Sequence, residues 1–154
     1  MKLRFREATY HDKYALWSWV NHESSLAGKI NTTDRIAFGK HVKWLQERLD
    51  NPDHHIWIVE LDMHNGITIG QVRLEYQKTH HEIDIFIIPE ARQEGFAGQA
   101  IQYVLDFHKE NYPMLEVRAE VISSNSNSHK LFRSAGPVES YGNCEKDTVV
   151  YTWR

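Results

Sequence analysis

The chain has 154 residues, which suits one domain with a core of several helices on one sheet. Apolar residues make up 41% and charged residues 25%, with a net charge of -3. That balance excludes the basic footprint of a nucleic-acid binder, and no apolar run reaches the length of a membrane span.

Taken in chain order, Leu3 to Ala8 alternates apolar and polar residues and is predicted to be a strand. Thr9 and Asp12 have the spacing of a capping box. A helix is expected from Asp12 to Asn21, then a loop from His22 to Asp34. Ile36 to Leu49 places Phe38, Val42, Leu45 and Leu49 at helical spacing, and Asn51-Pro52-Asp53 ends that helix. The period then changes. His54 to Leu61 and Ile67 to Tyr76 are strands joined through an Asn65-Gly66 turn, and Glu82 to Ile88 is a third, more buried strand ended by Pro89. A helix follows to about Glu110, with Ala97, Ile101, Val104, Leu105 and His108 in one stripe. Leu115 to Ile122 is a strand, Ser126 to Ala135 a short helix, and Val138 to Arg154 holds one or two closing strands, such as Thr148 to Trp153. Hairpin-linked strands followed by a crossover helix require a mixed sheet with helices on both faces.

The N-terminus lacks the apolar core of a signal peptide, and the single Cys144 has no internal disulfide partner. A cytoplasmic location is therefore expected. His54-His55 and His80-His81 open strands, and they are expected to be exposed there. No helical His-x-x-x-His pair occurs, so no metal site is expected. Trp17, Trp19, Trp44 and Trp57 are expected mostly to fill the core.

The turn Arg92-Gln93-Glu94-Gly95-Phe96-Ala97-Gly98 lies between a buried strand and a helix. The first turn of a helix carries unpaired N–H groups and the positive end of the macrodipole. Gly95 and Gly98 let a ligand approach that backbone, which suits a pyrophosphate. A plain tight turn would use the same glycines. The segment lacks the Lys-Ser/Thr of a nucleotide-hydrolysing loop and the three glycines of a dinucleotide fold.

Arg92-x-x-Gly95-x-Ala97, led by Ile87-Ile88-Pro89, resembles the signature of the GNAT superfamily of acetyl-CoA-dependent N-acetyltransferases. Asn125-x-x-Ser128-x-x-Leu131-Phe132-x-x-x-Gly136 is similar to that family's second motif. The resemblance spans nearly the whole chain. It implies an α/β (α+β) fold with a mixed, mostly antiparallel central sheet of six to seven strands and helices on both faces. One domain would cover 1–154, with the acceptor site in about 1–80 and the acetyl-CoA site in about 81–154.

The resemblance also implies roles. Backbone groups of Ile85, Phe86 and Ile87 would pair with the pantetheine arm, and the Ile87 N–H would face the thioester oxygen. Arg92, Gln93, Glu94, Gly95, Phe96, Ala97 and Gly98 would hold the pyrophosphate, with Asn125, Ser128 and Phe132 along the cofactor and Lys130 and Arg133 near the outer phosphates. Glu120 is the first candidate for general base, and Glu82 and Asp84 are the second. A salt bridge across strands would explain these carboxylates equally. The family's usual acid, a tyrosine, is replaced by Phe132, so Tyr141, Ser128 or water would have to protonate the leaving thiolate. Pro137 stands where the family has an aromatic residue.

Trp19-Val20-Asn21, His41-x-x-Trp44 and Gly70-Gln71-Val72-Arg73 resemble the branch acting on nucleotide-linked amino sugars, which implies Trp19, Asn21 and His22 at the acceptor. Three functions are consistent with these residues: amino-sugar N-acetylation, acetylation of a protein N-terminus or small amine, and non-catalytic coenzyme A binding. The substrate is a small amine in the first readings, with no nucleic-acid or membrane partner. The family resemblance also allows a homodimer.

Overall fold

The computed structural model describes residues 2–28, 30, 34–63 and 65–154. The loop expected between His22 and Asp34 falls partly outside them. Period-two patterning yields seven strands: β1 (Leu3–Glu7), β2 (His55–Leu61), β3 (Ile67–Tyr76), β4 (His80–Ile87), β5 (Glu116–Ile122), β6 (Glu139–Asn143) and β7 (Thr148–Trp153). The helices are α1 (Lys13–Val20), α2 (Glu23–Ala27), α3 (Phe38–Asp50), α4 (Phe96–Asn111) and α5 (Ser126–Ser134). The capping pair appears as a short 3-10 turn over Tyr10–Asp12: the Thr9 N–H donates to Asp12 Oδ2 at 2.8 Å. Helix α2 lies inside the stretch expected as loop.

The strands form one sheet in the order β1-β2-β3-β4-β5-β7-β6. Every neighbouring pair is antiparallel except β4 and β5, which are joined by the α4 crossover and run parallel. This is the mixed, mostly antiparallel sheet that the sequence implied.

Each sheet face has its own core. On one, Ala100, Ile101 and Val104 of α4 pack on Trp57, Val59, Val72, Ile83, Ile87 and Val117. On the other, Leu16 and Leu45 of α1 and α3 cover Ile56 and Ile58. The α3 stripe is rotated from expectation, with His41 buried beside Leu45 and Val42 half-buried. Trp57 is core, whereas Trp17, Trp19 and Trp44 are half-buried.

The histidines at the strand starts are not exposed. His80 and His81 are buried and His55 is half-buried. His81 points under α4, where it meets His108 and Tyr112.

Candidate acyl-transfer site

The parallel register between β4 and β5 runs from His80↔Glu116 to Glu82↔Arg118 and stops there. Beyond it the two strands diverge. The orientation of the β4 backbone in this gap follows from its antiparallel partner. The Ile88 N–H donates to the Ile69 carbonyl at 2.8 Å, and the His80 carbonyl accepts from Gln77 at 2.8 Å. Alternate residues of an antiparallel strand turn both backbone groups to the same neighbour. Even-numbered residues therefore face β3, and Ile83, Ile85 and Ile87 face the gap. Phe86 turns its backbone to Gln71 of β3, so of the three residues expected to pair with pantetheine, Ile85 and Ile87 have the right orientation.

Gly70 sets the far end of this edge. A Cβ there would lie 2.0 Å from the Phe86 carbonyl oxygen, so β3 can pass β4 at this point only with glycine. A glycine inside a strand is the sequence signal of such a close approach, beyond the part Gly70 has in the Gly70-Gln71-Val72-Arg73 resemblance.

The strand then leads through a 3-10 turn, Pro89–Ala91, into the start of α4. Gln93 and Gly95 have φ of 66° and 80°. Gly95 is the N-cap of α4, with no side-chain cap on the helix N–H groups. No atom lies within 4 Å of a Cβ built on Gly95 or Gly98. Unpaired N–H groups, a 16-residue helix dipole and open space fit a pyrophosphate. The Arg92 side chain turns elsewhere: Nε donates to the Ile87 carbonyl at 2.8 Å and Nη2 to Ser24 Oγ at 2.9 Å.

The side chains of Glu82, Asp84 and Phe86 emerge on the α1–α3 face. Glu82 and Glu120 line a cleft of about 220 Å³ with His80, Arg118, Tyr141, Asn143, Lys146 and Val150. Tyr141 stands on β6 at 46% exposure. Glu120 Oε2 accepts from Thr148 Oγ1 at 2.6 Å and from Asn143 Nδ2 at 3.5 Å, and Lys146 Nζ lies 3.8 Å from Oε1. These three partners come from β6, β7 and the turn between them, and sequence reading missed them because the contact spans more than twenty residues. The expected ion pairs form at Asp84, with Arg73 of the neighbouring β3, and at Glu120, with Lys146, whereas Arg118 pairs with Glu116 of its own strand at 2.5 Å.

Asp84 is held separately. Its Oδ2 takes Gln71 Nε2 at 3.2 Å and Arg73 Nη2 at 3.3 Å. Burial opposes the charge on Arg73, but Asp84 and Glu75 more than offset it and raise its pKa. Burial, then the charge of Arg73, holds the neighbouring His41 imidazole below its ordinary pKa.

Toward the other end of β4, Trp19 stacks on Phe86 at 6.0 Å and His22 meets the same ring at 5.4 Å. Asn21, expected at the acceptor, is buried and spent on structure. Its Nδ2 donates to the Ile36 carbonyl at 2.9 Å, and its Oδ1 accepts the Ile36 N–H at 2.7 Å. Asn125 likewise caps α5, its Oδ1 accepting the Ser128 N–H at 3.2 Å. Phe132 is buried against Tyr151 and Trp153. Lys130 and Arg133 line an open groove of about 720 Å³ beside Ser126 and His129.

Among the described residues, no group of three or more His, Cys, Asp or Glu side chains is placed to hold a metal ion, and no helix is long and apolar enough to cross a membrane.

An open strand edge thus meets the uncapped start of a helix, with Glu82 and Asp84 on β4 and Glu120 on β5. Residues 2–138 match the family described as the acetyltransferase (GNAT) domain. The chain belongs to this family, whose members are acetyl-CoA-dependent N-acetyltransferases. No curated protein matches by sequence. Among solved structures, a domain from Methanocaldococcus jannaschii superposes with a TM-score of 0.85 at 19% identity, covering 99% of this chain and 97% of that one. Spermidine N-acetyltransferase from Vibrio cholerae, solved with CoA and spermine, gives 0.81 at 19% identity over 97% of this chain and 92% of its own. The ribosomal alpha-N-protein acetyltransferase RimL, solved with coenzyme A, gives 0.79 at 10% identity over 99% and 94%.

Proposed function

We propose that the protein acetylates a small, positively charged primary amine, which enters the cleft on the α1–α3 face while acetyl-CoA lies along the open edge of β4. The convergence of Glu82, Glu120 and Tyr141 where β4 and β5 part carries this reading. Acetyl-CoA supplies an acyl group activated as a thioester. Ile85 offers its backbone to the pantetheine arm, Gln93 to Gly98 hold the pyrophosphate, and Lys130 and Arg133 serve the outer phosphates. The Ile87 N–H stabilises negative charge on the acyl oxygen.

An aliphatic amine has a pKa of about 10 and arrives protonated. Glu82 and Asp84, 46% and 54% exposed at their side chains, attract that cation. Glu120, fixed by Thr148 and Lys146, takes the proton before attack. Tyr141 is the hydroxyl of the cleft and protonates the leaving thiolate in place of the missing tyrosine at Phe132. A thiol pKa near 8.5 makes this last step a modest requirement.

The spermine bound by the Vibrio cholerae enzyme supports a polyamine-like acceptor. The aromatic wall of Trp19 and Phe86 favours a second acceptor, an amino sugar whose ring would lie against it. A cytoplasmic enzyme would meet both. That relative is also seen as a dodecamer, and the exposed edge strand β6 offers this chain a surface for self-association as a dimer or larger assembly.

The test is thiol release from acetyl-CoA with spermidine, free and nucleotide-linked amino sugars, and peptides. We expect turnover with the small amines. Glu120→Gln should lower kcat by about 10²-fold or more. Tight coenzyme A binding without turnover on any acceptor would leave a binding module instead.

A further inference from the structure

Arg92 belongs to the donor turn, yet its guanidinium leaves that turn and reaches the acceptor side. Nε donates to the Ile87 carbonyl at 2.8 Å, and Nη2 donates to Ser24 Oγ at 2.9 Å. A planar guanidinium holding two acceptors fixes both at once. Ser24 lies in the first turn of α2, whose N-cap is His22. The Ser24 N–H donates to His22 Nδ1 at 3.1 Å, so Nδ1 carries no proton. Ser24 Oγ, 2.9 Å from the same nitrogen, accepts from Arg92 and turns its own hydrogen to His22. The imidazole then meets Phe86 at 5.4 Å, and the Arg92 guanidinium lies 5.4 Å from the same ring. Phe86 precedes Ile87, whose carbonyl Arg92 already holds. The contacts therefore close into a ring from the donor turn, through α2, to the end of β4.

From this ring we propose that Arg92 and Ser24 form a latch that couples the acetyl-CoA turn to helix α2, so that filling the donor site orders the acceptor side. Arg92 immediately precedes Gln93 and Gly95, whose left-handed backbone shapes the cradle. Fixing that backbone around a pyrophosphate fixes the Arg92 Cα. The fork then holds Ser24 and His22, and with them the wall that Phe86 and Trp19 present to the amine. Arg92 and Ser24 are positioning residues. The latch rests on the acetyl-CoA placement proposed above, and it requires the acceptor affinity to rise once the donor is bound.

Hydrogen exchange read by mass spectrometry tests this without knowledge of the acceptor. Exchange is followed in peptides covering residues 22–28 and 92–98, with and without acetyl-CoA, on the full chain. In the unaltered protein acetyl-CoA should slow exchange in both. In Ser24→Ala the donor turn should still be protected, while the ligand-induced slowing in α2 falls by about three- to tenfold, the range expected for one hydrogen bond. Ser24→Thr, which keeps the hydroxyl, should restore it, and Arg92→Lys, which loses the fork, should not. The ratio of bound to free exchange within each variant cancels any change in the intrinsic stability of α2. Equal α2 protection in Ser24→Ala and the unaltered protein would overturn the latch and leave the donor site standing, as would absence of α2 protection alongside a protected turn. If the turn itself gains no protection, the donor placement fails and the latch falls with it.

Discussion

Gly70 and Gly95 are both required, for opposite reasons. At Gly70 the added Cβ would stand 2.0 Å from the Phe86 carbonyl oxygen and 3.0 Å from the Ile87 Cα, so β3 and β4 would have to separate. Gly70→Ala should therefore cost about 2–4 kcal/mol of stability, read from urea unfolding, and should weaken acetyl-CoA binding through the disturbed β4 edge. At Gly95 the space is open, and the demand comes from φ of 80°. Gly95→Val should cost about 1–2 kcal/mol from the left-handed backbone. Its larger effect should be on acetyl-CoA affinity in a calorimetric titration, because the side chain projects into the cradle. If Gly95→Val bound acetyl-CoA normally, the pyrophosphate would not lie at the start of α4.

At the scale of elements, α5 connects local signal to site. Its N-cap is Asn125, and the helix carries Phe132 against Tyr151 and Trp153. Asn125→Ala removes the bond to the Ser128 N–H and should cost about 1 kcal/mol in chemical unfolding. Asn125→Asp, which keeps an acceptor oxygen, should recover most of it. If Asn125 were chiefly a cofactor ligand, the loss would appear in acetyl-CoA affinity with stability unchanged. Elements that bury one face announce themselves in sequence. The α4 stripe of Ile101, Val104 and His108 and the run ending β4 are such cases. Helix α2 has five residues, none of them buried, so it had no apolar period to read, and β6, the second closing strand allowed within Val138 to Arg154, is an exposed edge whose bounds no apolar period marked. The site divides in the same way. The proposed donor turn is contiguous in the chain, so its glycines and helix start could be read there. The supports of Glu120 come from Asn143, Lys146 and Thr148, which only the β5-β7-β6 order brings together, and Asn21 looked like a ligand because its bonds to Ile36 are invisible before the chain folds.

For the molecule as a whole, the buried histidines tie stability to pH. His81 Nε2 faces the Asp53 carbonyl at 2.9 Å and must carry a proton, so in the neutral ring Nδ1 is bare and accepts from His108 Nε2 at 3.2 Å. His55 Nε2 lies 2.7 Å from the Tyr112 hydroxyl, which reaches Asp53 Oδ1 at 3.4 Å. A second proton on His81 would point at the N–H of His108. Burial is the first cause that lowers all three rings. It takes His108 to about 4, with the charges of His81 and His55 acting in the same direction. His54 is lowered as well, by burial and Arg48. Asp53 opposes the shift at His54, His55 and His81, Glu7 opposes it at His55 and Glu75 at His54, while His80 adds to it at His81; Tyr76 and Tyr112 complete the surroundings. Between the ordinary histidine pKa and these lowered values the unfolded chain binds more protons than the folded one. Stability is therefore complete above about pH 7 and declines as pH falls toward 4, with His108 alone contributing up to about 3 kcal/mol across that window. Urea unfolding at about pH 7.5, 6 and 5 should show this decline, and His108→Gln should flatten it, because glutamine keeps a donor for His81 and has no proton to gain. Parallel declines in the two proteins would place the acid sensitivity elsewhere. His81 lies in the parallel pair at the closed end of the β4–β5 gap, so the same protonation loosens the base on which the donor slot is built. Acetyl-CoA affinity should therefore fall with stability over this pH range.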